Sequence, residues 1–346
     1  MKVYETNDIR NVALVGHGHS GKTSLVAGML FTAGATQRFT KVDEGNTITD
    51  FDEEEIARKL TISTSVAAVE WNKKKINLLD TPGYNIFILD TKSSLIGADS
   101  AFVAVDGIAG VEVQTEKVWT YADEFVLPRA IVINKLDRER ANFERALESV
   151  QSVFGRAAIP IHLPIGAEKD FKGVVDLISM KAYTYAAGSG KATEGPIPAD
   201  MQEAAKTAHE ALVEMVAEGN DLLMEEFFAT GTLPEDHIAD GLRDAVAHRR
   251  IYPVLCASGL NNTGTDRLLN FALDFFPSPA LQPPWKGIAN GVEVDRHFNE
   301  ASPLSVFVFK TIADPFAGRV SYFKVVSGVL KNDANLGNAQ IGRAHV

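Results

Sequence analysis

Short runs of consecutive apolar residues recur along the chain at 12–15, 76–79, 101–105, 130–133 and 252–256, separated by stretches with apolar residues at helical spacing. Four or five apolar residues without polar alternation mark a strand buried on both faces. Such strands alternating with amphipathic helices predict an α/β fold, a mostly parallel sheet covered on both sides. An Ala/Glu-rich region from about 198 to 250 shows helical spacing over Ala208-His209-Glu210-Ala211-Leu212-Val213-Glu214-Met215-Val216. It reads as an inserted α/β subdomain, expected at about 157–250, with loops at Gly188-Ser189-Gly190 and Gly195-Pro196-Ile197-Pro198. Beyond Pro277-Ser278-Pro279 and Pro283-Pro284, the stretches Leu304–Lys310 and Gly318–Val326 read as β-strands of a barrel. The expected domains are therefore 1–285 and an incomplete 286–346.

The ends of these apolar runs carry the chemistry. Val12-Ala13-Leu14-Val15 runs into Gly16-His17-Gly18-His19-Ser20-Gly21-Lys22-Thr23-Ser24, the phosphate-loop pattern G-x-x-x-x-G-K-[ST] between a strand and a helix. Glycines let the backbone curl around a polyphosphate so that its N–H groups, at a helix N-terminus, face the anion. Lys22 is then expected on the outer phosphates and the Thr23 hydroxyl on magnesium. The competing reading is a plain glycine turn.

Ile131-Val132-Ile133 delivers Asn134-Lys135-Leu136-Asp137, an N-K-x-D box. A fixed carboxylate at Asp137 can accept both adjacent donors of guanine. Adenine offers neither, and a site built on matched polar groups rejects such an analogue strongly. The Lys135 stem can cover the base, and Asn134 can tie this loop to the phosphate loop. Without a phosphate loop the box would read as a surface turn.

Ile76-Asn77-Leu78-Leu79 ends in Asp80-Thr81-Pro82-Gly83, where Asp80 is expected to reach magnesium through water and the Gly83 N–H to sense the terminal phosphate. The polar segment from about Ala35 to Leu60 shows no period and is expected to be a loop that orders around triphosphate and magnesium. Thr61 reads either as the residue closing over the metal or as an ordinary strand-initiating threonine. Backbone N–H groups at Ser258 and Gly259 are expected near the guanine carbonyl.

Taken in order and spacing, these boxes resemble translational GTPases, specifically the elongation factor G family. Asn134–Arg138 followed by Ala141-Asn142-Phe143, then Leu163–Glu168, Gly173–Leu177 and Phe276-Pro277-Ser278-Pro279, extend the likeness along nearly the whole chain. The resemblance implies a P-loop GTPase domain, GTP and GDP as ligands, magnesium as cofactor and the ribosome as partner. It also implies Lys22, Thr61, Gly83 and residue 84 as the catalytic set.

Three departures point to the bacterial elongation factor G-like branch: Tyr84 replaces the family histidine, Arg58-Lys59-Leu60-Thr61 replaces R-G-I-T, and His19 replaces an aspartate. In the family that histidine is brought against the attacking water on the ribosome. A neutral tyrosine with different reach implies slow turnover, or a GTP-dependent switch with little hydrolysis. His19, where the family aspartate helps hold a monovalent cation, reads equally as a solvent-facing loop residue. The ending Ile341–Val346 does not resemble the family and reads as a translated sequencing adapter, so a truncated chain is expected, with residues beyond about 286 poorly stable.

Composition narrows the setting. A net charge of -11 over 346 residues argues against free, non-specific nucleic-acid binding, including DNA. The single Cys256 allows no internal disulfide. No apolar run approaches the ~20 residues of a membrane helix, and the N-terminus shows no signal-peptide core. A monomeric cytoplasmic protein is expected.

Overall fold

The computed structural model describes residues 2–289, 291–314, 318–338 and 342–345. The chain enters through β1 (Ile9–Gly16), turns through the phosphate loop into α1 (Lys22–Thr32), and reaches the short α2 (Glu53–Arg58). Then follow β2 (Ser65–Trp71), β3 (Lys74–Asp80), α3 (Ile88–Gly97), β4 (Ser100–Asp106), α4 (Val113–Glu124), β5 (Arg129–Asn134) and α5 (Phe143–Phe154). After β6 (Ala158–Pro160), the strands β7 (His162–Ile165), β8 (Gly173–Asp176), β9 (Lys181–Tyr185) and β10 (Ala192–Gly195) form their own four-stranded antiparallel sheet. The helices α6 (Gln202–Ala217), α7 (Asp221–Thr230) and α8 (Glu235–Ala247) precede the return through β11 (Tyr252–Cys256) and α9 (Thr265–Asp274).

The main sheet runs β2-β3-β1-β4-β5-β11-β6, parallel except for the β2 edge. Its register explains why the boxes meet. Leu14 pairs with Asp80, Gly16 with Ala104, Asp106 with Asn134, and Ile133 with Cys256. Parallel strands share a direction, so every carboxyl end, with its loop, falls on the same edge of the sheet. The central strands are fully buried, and the core divides into a cluster on each sheet face. On one face Phe102 packs against Phe276 and Phe271 at ring-centroid distances of 5.0 and 6.0 Å.

Two local expectations change. The segment read as aperiodic carries α2, whose six residues are too few to display a period. Asp52 caps it, accepting from Glu54 N at 2.9 Å and forming a capping box with Glu55. Thr61 does not open a strand, because β2 begins at Ser65.

Beyond residue 284, β12 (Trp285–Ala289) pairs with β13 (Val292–Arg296), β14 (Ser305–Asp314) with β15 (Gly318–Ser327), and β16 (Asn335–Asn338) with β17 (Gly342–His345), all antiparallel. Ile341 and Val346, the ends of the adapter-like segment, lie outside the described residues. The β14–β15 hairpin seats on the preceding α/β part through the buried Lys324 and the half-buried Lys310. Lys324 makes a 2.5 Å ion pair with Asp99, which also accepts from Asn11 Nδ2 at 2.6 Å. Lys310 donates to Ser63 Oγ and to Thr64 O, with Asp90 at 3.7 Å. Phe309 presses on the end of α3, where a Cβ added to Gly97 would lie 2.8 Å from its ring.

Truncating Phe102 to alanine removes the ring shared by that aromatic cluster. Phe102→Ala is expected to cost about 3–5 kcal/mol, read from chemical denaturation of the chain.

Candidate nucleotide site

At the carboxyl edge of the sheet the phosphate loop leaves β1 and closes on α1. Gly21 caps that helix at φ +88, and a Cβ there would lie 2.3 Å from the Asn134 amide nitrogen. Left-handed backbone and close approach together require glycine at this position. Gly83 comes equally close from the other side: a Cβ on it would meet Lys22 Nζ at 2.4 Å and Gly18 N at 2.7 Å. The loop, the lysine and the glycine after Asp80 therefore converge on one point.

Lys22 is buried, with its ammonium donating to His17 O at 2.9 Å and Gly16 O at 3.2 Å. Burial lowers its pKa to about 8, opposed by the charges of Asp80 and Asp50. Around it the Thr23 and Thr61 hydroxyls lie 3.0 Å apart, and Thr61 donates to Asp50 Oδ1 at 2.9 Å. Thr49 donates to Asp80 Oδ2 at 2.8 Å. The other oxygen of each carboxylate, Asp50 Oδ2 and Asp80 Oδ1, is buried without a hydrogen-bond partner. Burial raises Asp50 to about 7, helped by the nearby Asp80 charge and opposed by the Thr61 hydrogen bond. Burial also raises Asp80 to about 6, opposed by Thr49 and Lys22. Two hydroxyls and two carboxylates with unmet acceptor capacity form an oxygen-only set suited to a hard divalent cation. Among the described residues there is no group of three or more His, Cys, Asp or Glu that could hold a metal ion, and a magnesium site completed by substrate phosphates needs none.

Asn134 sits where β5 ends and joins two other loops. Its Nδ2 donates to Ser20 O at 2.8 Å, and its Oδ1 accepts from Gly259 N at 2.9 Å. Lys135, at φ +63, ion-pairs with Asp106 at 2.7 Å, which aligns its stem along the cavity. Asp137 Oδ1 is buried and unpartnered, an acceptor waiting for donors. The Ser258 N–H is donated to Thr263 O at 3.0 Å, and the Gly259 N–H is already engaged by Asn134. A base carbonyl would share the Gly259 donor with Asn134 and find none at Ser258.

A cavity of about 430 Å³ has Lys22, Thr23, Asp50, Thr61, Gly83 and Lys135 in its walls, while Asp80, Asp137 and Ser258 lie outside its lining. His19 and Tyr84 line its rim, with the Tyr84 hydroxyl hydrogen-bonded to His19 Nε2. A separate cavity of about 360 Å³ lies under the β14–β15 hairpin.

A family model described as "Elongation factor Tu GTP binding domain" matches residues 7–278. The chain belongs to the elongation factor Tu GTP-binding domain family. That match spans every box and stops before β12. The chain is also 36% identical over 341 residues to an elongation factor G of Mycoplasma genitalium, covering 98% of this chain and 50% of that protein. A crystal structure of a Thermus thermophilus protein matches with a TM-score of 0.85 at 33% identity, over 98% of this chain and 48% of the other. The chain thus spans about half the length of these relatives.

Within this family domain, sequence reasoning missed three supporting residues. Asp50 lies in the segment read only as a loop, Glu55 accepts from Ile62 N and Ser63 N at 2.9 and 3.1 Å and so fixes the backbone after Thr61, and Asp106 orients Lys135. A capping-box pattern at Asp52-Glu53-Glu54-Glu55 was the available signal for Glu55. For Asp106 it was an acidic residue closing a buried strand.

Two outcomes follow. Asn134→Ala leaves Ser20 O and Gly259 N without their partner, so nucleotide-free chain should lose about 1–3 kcal/mol, read by thermal or urea unfolding. Asp50, near 3.8 when unfolded and about 7 when folded, holds its proton more tightly in the folded chain. That contribution is full at low pH and disappears as pH rises through about 7, so Asp50→Asn should melt progressively higher than the parent from about pH 5 to about pH 7.5 without metal.

Proposed function

We propose that this chain binds GTP with magnesium and hydrolyses it to GDP and phosphate, as the nucleotide-binding part of a cytoplasmic translational GTPase that works on the ribosome. The observation carrying this reading is the pairing of Asp50 Oδ2 and Asp80 Oδ1, both buried and unpartnered, beside the Thr23 and Thr61 hydroxyls and the Lys22 ammonium. A buried acceptor without a partner is costly, and a cation bound with a triphosphate relieves both at once. Thr23, Thr61, Asp80 and Asp50 are the residues that would hold magnesium. When bound, that ion neutralises charge on the outer phosphates.

The remaining work falls to the chain itself. Lys22, released from the carbonyls of Gly16 and His17, carries its charge to the outer phosphates. The phosphate loop offers N–H groups at the start of α1, and the Gly83 N–H meets the terminal phosphate. Asp137 accepts from the guanine edge, the Lys135 stem covers the base, and Asn134 holds both ends of the pocket in register. Phosphoryl transfer to water depends mainly on positioning and charge stabilisation, so the group beside the water sets the rate. That group is Tyr84, which follows Gly83 directly and stays protonated because burial raises its hydroxyl further above 10.

Binding of a fluorescent GTP analogue, competed by GTP and GDP but not ATP, tests the pocket. Lys22→Ala is expected to abolish that binding, and retained affinity in the variant would overturn the assignment. Single-turnover hydrolysis of radiolabelled GTP, with and without ribosomes, tests the chemistry; phosphate release by the parent chain alone is expected to be slow but measurable.

A further inference from the structure

Tyr84 and His19 come from different loops, the one following β3 and the one following β1, and they meet at the cavity rim. The tyrosine hydroxyl is bonded to His19 Nε2, and the rings stand edge to face at 86° with centroids 5.3 Å apart. The contact is built on both sides. His19 adopts φ +63, a left-handed conformation uncommon for a residue with a side chain, which turns it toward the tyrosine. The tyrosine ring in turn lies on Gly18, where a Cβ would come within 3.1 Å of it. Gly18 N also lies 2.7 Å from a Cβ built on Gly83, at the point where Lys22 and the loop converge. The pair therefore borders the place assigned to the terminal phosphate.

We propose that His19 is a positioning residue for GTP hydrolysis: by accepting the Tyr84 hydroxyl hydrogen it leaves the Tyr84 oxygen free to accept a hydrogen bond from the attacking water. The inference rests on the hydrolytic reading above. A phenol hydroxyl is both donor and acceptor and rotates to suit its neighbours. Unpartnered, it can aim its hydrogen at the water oxygen and occupy the lone pair that must attack. Bonded to an imidazole acceptor, it can only receive, so the water points a hydrogen at Tyr84 and a lone pair inward. With its proton on Nδ1 the imidazole presents Nε2 as an acceptor, and partial desolvation, then the nearby Lys135 and Lys22 charges, lower its pKa and so disfavour the imidazolium, which could only donate.

The test uses the full 346-residue chain. His19→Ala removes the acceptor, Tyr84→Phe removes the donor, and His19→Gln keeps an acceptor under the same backbone constraint. Single-turnover hydrolysis is expected to fall about tenfold in His19→Ala and in Tyr84→Phe, with affinity for the fluorescent GTP analogue within about twofold of the parent. The double variant should be no slower than either single one, and His19→Gln should recover most of the rate. An unchanged or faster rate in His19→Ala, or losses that multiply in the double variant, would overturn the proposal.

A readout without nucleotide separates this proposal from the function it rests on. In ¹⁵N-histidine-labelled chain, the His19 Nε2 resonance should show an accepting nitrogen and move in Tyr84→Phe. A resonance that does not move overturns the pairing even if hydrolysis proceeds. The expected shift in a chain that binds no GTP, or binds it without hydrolysis, would instead sink the GTPase reading.

Discussion

One amide, that of Asn134, holds three loops in place. It donates to the phosphate loop at Ser20 and accepts from the loop after β11 at Gly259, while its own backbone closes β5 and leads into Lys135 and Asp137. The amide is buried, so neither hydrogen bond competes with water. Gly21 is glycine partly because this amide occupies the space a side chain would need. A single side chain thereby ties the phosphate-loop pattern to the loop after β11.

Around that tie the sheet supplies position and the loops supply charge. Register alone brings Asp80, Asp106 and Asn134 to one edge, because parallel strands end together. What register cannot do is offset the cost of burying two carboxylates and an ammonium side by side. Burial pushes the carboxylates up and the lysine down, all toward the neutral form. A site stressed in this way favours ligands that bring opposite charge to both kinds of group, and a metal-bound polyphosphate does so.

The parts of this arrangement that could be read from the sequence are those written in consecutive residues. Apolar runs at 12–15, 76–79, 101–105, 130–133 and 252–256 became β1, β3, β4, β5 and β11, and the boxes at their ends lie where parallel strands put them. The barrel-like runs after residue 304 became the β14–β15 hairpin. What escaped was built from contacts distant in sequence or too short to repeat. The helix α2 has under two turns, so it shows no period. Asp50 is one acid among several in a polar stretch, and nothing nearby marks it as the one facing Thr61. The meeting of His19 with Tyr84 spans 65 positions, and no local pattern announces it.

Lys310 gives the second half of the chain a stake in the first. Its ammonium reaches from β14 to Ser63 and Thr64, just past Thr61, and to Asp90 in α3, just past Gly83 and Tyr84. The segments that follow Thr61 and Tyr84 thus share one contact on the β14–β15 hairpin. Moving either segment by a few ångströms would break contacts of a largely buried ammonium, so the placement of β14 is tied to the backbone on both sides of the cavity.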